Sequence, residues 1–151
     1  PLDCHPKLGN NARLAVALGL TRCRPFFFEK GSDIGLRSNT TITRTLLLKK
    51  IEKAVAGPVT VLPGGPKTCR KIGIVTGGAG SELTKAAAEG VDTFITGEGP
   101  HHTFALAEEA GINVFYAGHY ATETFGVKAL AAHLAKKYRL TWEFLDHPTG
   151  L

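Results

Sequence analysis

The chain has 151 residues, 43% of them hydrophobic and 21% charged, which fits one compact domain of ordinary composition. A domain of this length buries roughly 68–70% of its unfolded surface, enough for a real core. The formal charge of +5 admits anionic small molecules or nucleic acid as partners, whereas three cysteines without a C-x2-C pair indicate neither a disulfide framework nor a cysteine zinc site.

The basic residues are scattered among Lys49, Lys50 and Lys53, then Lys67, Arg70 and Lys71, then Lys136, Lys137 and Arg139. No Lys/Arg run is interleaved with aromatics, so nucleic-acid binding is weakly supported. With no signal peptide and no apolar run of 18 residues, the expectation is a cytoplasmic protein without a membrane partner. There is no Met, and the chain opens on PLDCHP, inside what reads as a structured segment. We therefore expect the C-terminal portion of a longer protein, forming a single domain over residues 1–151.

Residues Pro1 to Pro6 carry Asp3 and His5, two apart, so in an extended strand both face one way. Taken by itself, the pair is better explained as a loop acid beside a solvent-exposed His. Asn10 or Asn11 is placed to cap a short helix containing Leu14, Ala15 and Leu18 and ended by Gly19. Phe26 to Phe28 form an apolar run for a buried or interface strand, and Gly31, Gly35 and Ser38 mark loops. Thr41 or Thr43 caps the next helix, with Leu46, Leu47, Ile51 and Val55 inward, and Gly57-Pro58 stops it.

Strands are predicted at Val59–Leu62, Ile72–Val75, Val91–Ile95 and Val114–Ala117, with helices between the later ones, and a last strand at Thr141–Leu145. Trp142 and Phe144 read as core or interface residues. The alternation predicts an α/β fold with a parallel or mixed sheet covered by helices on both faces. A helix with Val127, Leu130, Ala131 and Leu134 on one face follows Gly118.

Three junctions are candidates for chemistry, and each also has an ordinary reading: glycine packing in the first, a polar loop with capping or exposed histidines in the second, a surface His beside a helix-starting Glu in the third. TGGAGS (Thr76 to Ser81) joins a strand to a helix through glycines whose backbone N–H groups could cradle an anion, although it matches neither a P-loop nor a G-x-G-x-x-G fingerprint. TGEGPHH (Thr96 to His102) puts Glu98, His101 and His102 within five residues; histidine serves as acid, base or metal ligand near neutral pH. His119 and Glu123 form an H-x3-E pair just after Gly118. They share a face if the helix already begins at His119, and remain neighbours if Thr122 is the N-cap. Imidazole plus carboxylate suits zinc, iron or manganese. In a parallel sheet both loops lie at the strands' carboxyl ends, where such sheets bind ligands.

The stretches PLDCHPKLGNN, TGGAGS, FITGEGPHH and AGHYATETFGVKAL together resemble the NIF-three-like dinuclear metal-centre family, the GTP cyclohydrolase type 2 homologues. The likeness runs from Pro1 to the closing HPTGL, and GHYATE is its most specific part. It implies two adjacent divalent metal ions held by a pair of consecutive histidines, the Asp of the LD segment and the His and Glu of GH-x3-E. Asp3, His119 and Glu123 hold the last three positions. The paired histidines belong before the LD segment, so His101-His102 is a different motif. The resemblance gives His102 an acid–base or substrate contact, with Glu98 beside it as a second catalytic candidate.

The implied fold is the NIF-three-like mixed, mostly parallel sheet flanked by helices, with its N-terminal part missing here. The implied assembly is a homohexameric ring, with apolar stretches such as Phe26 to Phe28 at contacts. The implied function is a metal-dependent hydrolase acting on a small, nucleotide-like substrate. The alternative is a non-catalytic metal-binding ring that recruits a regulatory partner.

Overall fold

The computed structural model describes residues 2–149. Pro1, which opens the LD-containing segment, and residues 150–151, which end HPTGL, lie outside the described residues. The chain runs through α1 (Asn10–Leu18), a hairpin of β1 (Arg24–Glu29) and β2 (Ser32–Thr43), and α2 (Arg44–Val55). β3 (Thr60–Pro63) and β4 (Thr68–Ile74) follow, then a 3-10 turn (Gly80–Glu82) leading into α3 (Leu83–Ala88). The remainder is β5 (Thr93–Thr96), α4 (Thr103–Ala110), β6 (Asn113–Tyr116) and α5 (His119–Tyr138).

The six strands form one mixed sheet in the order β1-β2-β4-β5-β6-β3. β4, β5 and β6 are parallel, with Ile72 opposite Thr93 and Phe94 opposite Val114. The hairpin and β3 join antiparallel at the two sides. The antiparallel share is larger than strand–helix alternation suggests, because β2 is twelve residues long and pairs with both β1 and β4.

Alternation along each central strand feeds two cores. Ile72, Ile74, Ile95 and Phe115 face Leu14, Leu18, Leu47 and Ile51 of α1 and α2. Phe94 and Val114 face the other way, against Leu83, Ala107, Phe26 and Phe27. Both faces of the parallel strands are therefore apolar, as expected when helices cover them.

Gly35 and Ser38 lie within β2 and do not mark loops. A Cβ on Gly35 would stand 2.6 Å from Ile74 O and 2.7 Å from Val75 Cγ2, with the Phe26 ring at 3.2 Å, and Ser38 Oγ donates to Thr21 O at 2.6 Å, so each answers a tertiary contact. Gly73, on the neighbouring strand, meets the same ring: a Cβ there would stand 2.5 and 2.7 Å from two ring carbons. Phe26 is held edge-on against Phe27 and Phe94 and cannot swing aside. Gly73→Ala is expected to cost about 1–3 kcal/mol by overpacking, visible as a drop of several degrees in Tm.

Other expectations shift in the same way. Thr43 caps α2, its Oγ1 accepting from Leu46 N–H, while Leu46 itself is 50% exposed. Ala56, in left-handed conformation, ends that helix before Gly57-Pro58 is reached. Gly9, not an asparagine, is the N-cap of α1; Asn10 and Asn11 are buried and turned toward other elements. Residues 141–149 form no strand. They fold back on α5 instead: Lys128 Nζ lies 4.1 Å from the Phe144 ring centroid, and Trp142 is 47% exposed.

Candidate functional site

The loops after β4, β5 and β6 meet at one edge of the sheet, and backbone hydrogen bonds lock them together. Gly97 N–H donates to Gly77 O at 2.7 Å, Gly118 N–H to Gly97 O at 2.8 Å, and Gly80 N–H to Glu98 O at 3.0 Å. Side chains do not fit between these loops: a Cβ on Gly97 would lie 2.6 Å from both Gly77 O and His119 Cα. Gly118, at φ 88°, turns β6 directly into α5. His119 thus becomes the first residue of that helix, one helical turn before Glu123.

The imidazole sits between two carboxylates. His119 Nδ1–H donates to Glu98 Oε1 at 2.8 Å, and Nε2 lies 3.3 Å from Glu123 Oε1. The Glu98 hydrogen bond, helped by the negative charges of Glu123 and Glu98, raises the His119 pKa above its ordinary value against an opposing desolvation effect. Bare backbone walls the Glu123 side, since a Cβ on Gly77 would fall 2.4 Å from Glu123 Oε1 and 3.3 Å from His119 Nε2. The cleft, about 300 Å³, is lined by Glu98, His119, Tyr120, Glu123 and Thr149. The C-terminal segment borders it: Tyr120 O–H donates to Asp146 Oδ1 at 2.9 Å and accepts from His147 N–H at 2.8 Å.

Two donors at about 2.0–2.1 Å from one tetrahedral ion stand about 3.3 Å apart. The separation of Nε2 and Oε1 matches that edge. With an ion on Nε2, Glu98 on Nδ1 would be the outer carboxylate that fixes the ring and its tautomer. Glu98 and Glu123 occupy opposite sides of the imidazole and cannot share one ion. Among the described residues no group of three or more His, Cys, Asp or Glu is placed to hold a metal. The pair alone does not make a metal site; an ion held here would need further donors. Glu98→Gln keeps the shape but weakens the outer hydrogen bond; metal affinity is expected to fall about 10–100-fold at unchanged stoichiometry, read by competition with a chromogenic chelator.

Asp3 approaches through an intermediary. Its Oδ1 accepts from Asn10 Nδ2, and Asn10 Oδ1 accepts from Gly126 N–H, one turn beyond Glu123 on α5. Asn11 braces the same corner, donating to Asp3 O and Ile34 O and accepting from Thr76 N–H. The sequence placed these asparagines at a helix cap; a polar residue on the inward face of a short apolar helix was the available sign of a strut. His5 does not join Asp3 in a cleft, because its Nδ1 accepts from Lys7 and Leu8 N–H in a local turn. His101 and His102 are exposed at the start of α4, and His102 does not line the cleft.

The TGGAGS loop offers little to an anion. Thr76 N–H is bound to Asn11 Oδ1, Gly77 N–H to Thr122 Oγ1, Ala79 N–H to Thr96 Oγ1 and Gly80 N–H to Glu98 O. Those donors position the loop against α5 and β5. Two of the four acceptors are the buried hydroxyls of Thr122 and Thr96, a role the sequence did not show.

A mixed α/β sheet with a carboxylate–histidine–carboxylate cluster at the carboxyl ends of its parallel strands defines a class of candidate metal-binding proteins. Within it, the chain belongs to the Duf34/NIF3 (NGG1p interacting factor 3) family, whose model matches residues 1–149. It is 42% identical to a "GTP cyclohydrolase 1 type 2 homolog" of Deinococcus radiodurans, covering 100% of this chain and 58% of that protein. A relative with the same description from Halobacterium salinarum is 44% identical, with coverages of 100% and 61%. The chain therefore spans about three fifths of these relatives' length. Among solved structures, TTHA1606 from Thermus thermophilus superposes with a TM-score of 0.88 at 41% identity, covering 100% of this chain and 60% of that one. Reduced HcgD from Methanocaldococcus jannaschii superposes with 0.76 at 28% identity, over 89% and 54%.

Proposed function

We propose that His119 and Glu123, with Asp3, contribute ligands to a centre of two divalent ions, zinc, iron or manganese, in a hydrolase acting on a nucleotide-like substrate. The carrying observation is the 3.3 Å separation of His119 Nε2 and Glu123 Oε1 with Nδ1 fixed by Glu98. Asp3 is tied to α5 through the Asn10 amide, which supports its inclusion. Two ions in such a site, when bound, activate a water and polarise a carbonyl or phosphoryl oxygen.

In this reading Glu98 orients the imidazole, and the glycine wall around Gly77 leaves the cleft open to substrate. His102 is assigned proton transfer, which requires the substrate to reach over the start of α4. His102→Ala is then expected to lower turnover by about 10²-fold or more while metal content stays unchanged. The assembly is taken as a homohexameric ring in the cytoplasm; Phe28, Val127, Leu134 and Tyr138, all exposed on the single chain, supply apolar surface for contacts. The test is hydrolysis of GTP and a panel of nucleotides by the metal-loaded full-length protein. Turnover lost on chelation supports the proposal; an inert panel counts against it.

A second reading, a non-catalytic metal-binding ring that recruits a partner, is favoured by one observation. Four backbone donors of the TGGAGS loop beside the cluster, those of Thr76, Gly77, Ala79 and Gly80, are already occupied, which leaves little of the loop for a phosphate cradle. In that reading, Glu123→Ala removes metal and partner binding together.

A further inference from the structure

The sheet face carrying Phe26 continues, beyond the end of α3, into a cationic hollow. Arg24 of β1 stands directly opposite Arg37 of β2, and Asn39 of β2 opposite Lys71 of β4. Residues two apart share a face, so Arg37 and Asn39 bring all four to one side. Arg22 completes the rim of a cavity of about 420 Å³, within the range of about 300–1,000 Å³ usual for small-molecule sites. The hollow also touches Glu89, Gly90 and Val91, which precede β5, so four cationic side chains and one carboxylate line it. It therefore lies toward the opposite end of the parallel strands from His119.

Like charges directly opposite on neighbouring strands destabilise a sheet, and nearby acids do not relieve this one. Glu89 Oε2 and Oε1 accept from Phe27 and Phe28 N–H at 2.9 and 3.2 Å. Asp92 Oδ2 accepts from Arg70 and Lys71 N–H, both at 3.0 Å. Arg37 Nη1 reaches only the backbone oxygen of Glu89, at 3.2 Å. Among the described residues none of Arg22, Arg24, Arg37 and Lys71 is in a salt bridge. The acids close the backbone, and the cations are left facing one cavity.

We infer that this hollow binds a phosphorylated small molecule bearing at least a diphosphate. Guanidinium forks match phosphate oxygens bidentately, and Lys71 adds a point charge. A ligand with two or more negative charges would also relieve the Arg24–Arg37 repulsion. This site is separate from the His119 cluster and stands or falls without it.

The probe is inorganic pyrophosphate, titrated by calorimetry into the full-length protein in metal-free buffer. Saturable binding with one site per chain is expected, weakened about tenfold by Arg24→Gln and again by Lys71→Gln, and unchanged by Glu123→Ala. Arg24→Glu guards against misfolding: it places opposite charges across the strands, so Tm should rise while pyrophosphate binding is lost. Absence of saturable binding, or binding indifferent to Arg24→Gln, overturns the inference. So does binding confined to a single-stranded oligonucleotide, which would make the patch a nucleic-acid surface.

Discussion

His119→Ala is expected to weaken metal binding by the full-length protein more than about 100-fold, beyond the range for loss of an outer-shell partner. Two features of the site set that size. The ring supplies the only nitrogen close to Glu123 Oε1 in the described cluster, at 3.3 Å, and Glu98 has no other imidazole to hold. Alanine therefore removes a donor and leaves two glutamates facing each other across the gap, repelling in the metal-free state. The imidazole is 40% exposed, so its removal should not collapse a core. Elemental analysis of wild type and variant, beside melting curves of both metal-free proteins, separates loss of a ligand from loss of the fold. A variant that retains full metal content would exclude His119 as a ligand.

Gly97→Ala should damage the site through the backbone. The added methyl would meet Gly77 O and His119 Cα at 2.6 Å, and His119 N at 2.9 Å. All three belong to main chain held by hydrogen bonds between the loops, so none can yield as a flexible side chain would. A cost of about 3 kcal/mol is expected, at the upper end of overpacking effects, which for a domain of this size is a fall of about 6–12 °C in Tm. Metal affinity should fall as well, because separating Gly97 from Gly77 moves the start of α5 relative to Glu98. Calorimetric melting measures the first effect and metal competition the second.

The parallel centre was readable because it is local in sequence. Ile72–Ile74, Phe94–Ile95 and Val114–Phe115 are short apolar runs between turn residues, and each became a strand. β2 was not, since Gly35 and Ser38 look like loop residues until the Ile74 and Thr21 carbonyls occupy the space beside them. The same limit applied at the site. His119 and Glu123, four apart on a helix, were visible as a pair. Glu98, 21 residues earlier, was grouped by density with His101 and His102, whereas its partner in space is His119. Asn10 and Asn11 stood out only as polar residues on an apolar helix; that their amides tie Asp3, Ile34, Thr76 and α5 together was not legible, because those contacts cross up to 116 positions of chain.

The most direct measurement is an anomalous difference map, recorded at the absorption edge of the bound metal, from crystals of the metal-loaded full-length protein. A peak within coordination distance of His119 Nε2 and Glu123 Oε1, with Asp3 contributing to the same centre, is the expected result. A map with no peak there, or with density only on the Nδ1 side beside Glu98, would contradict it.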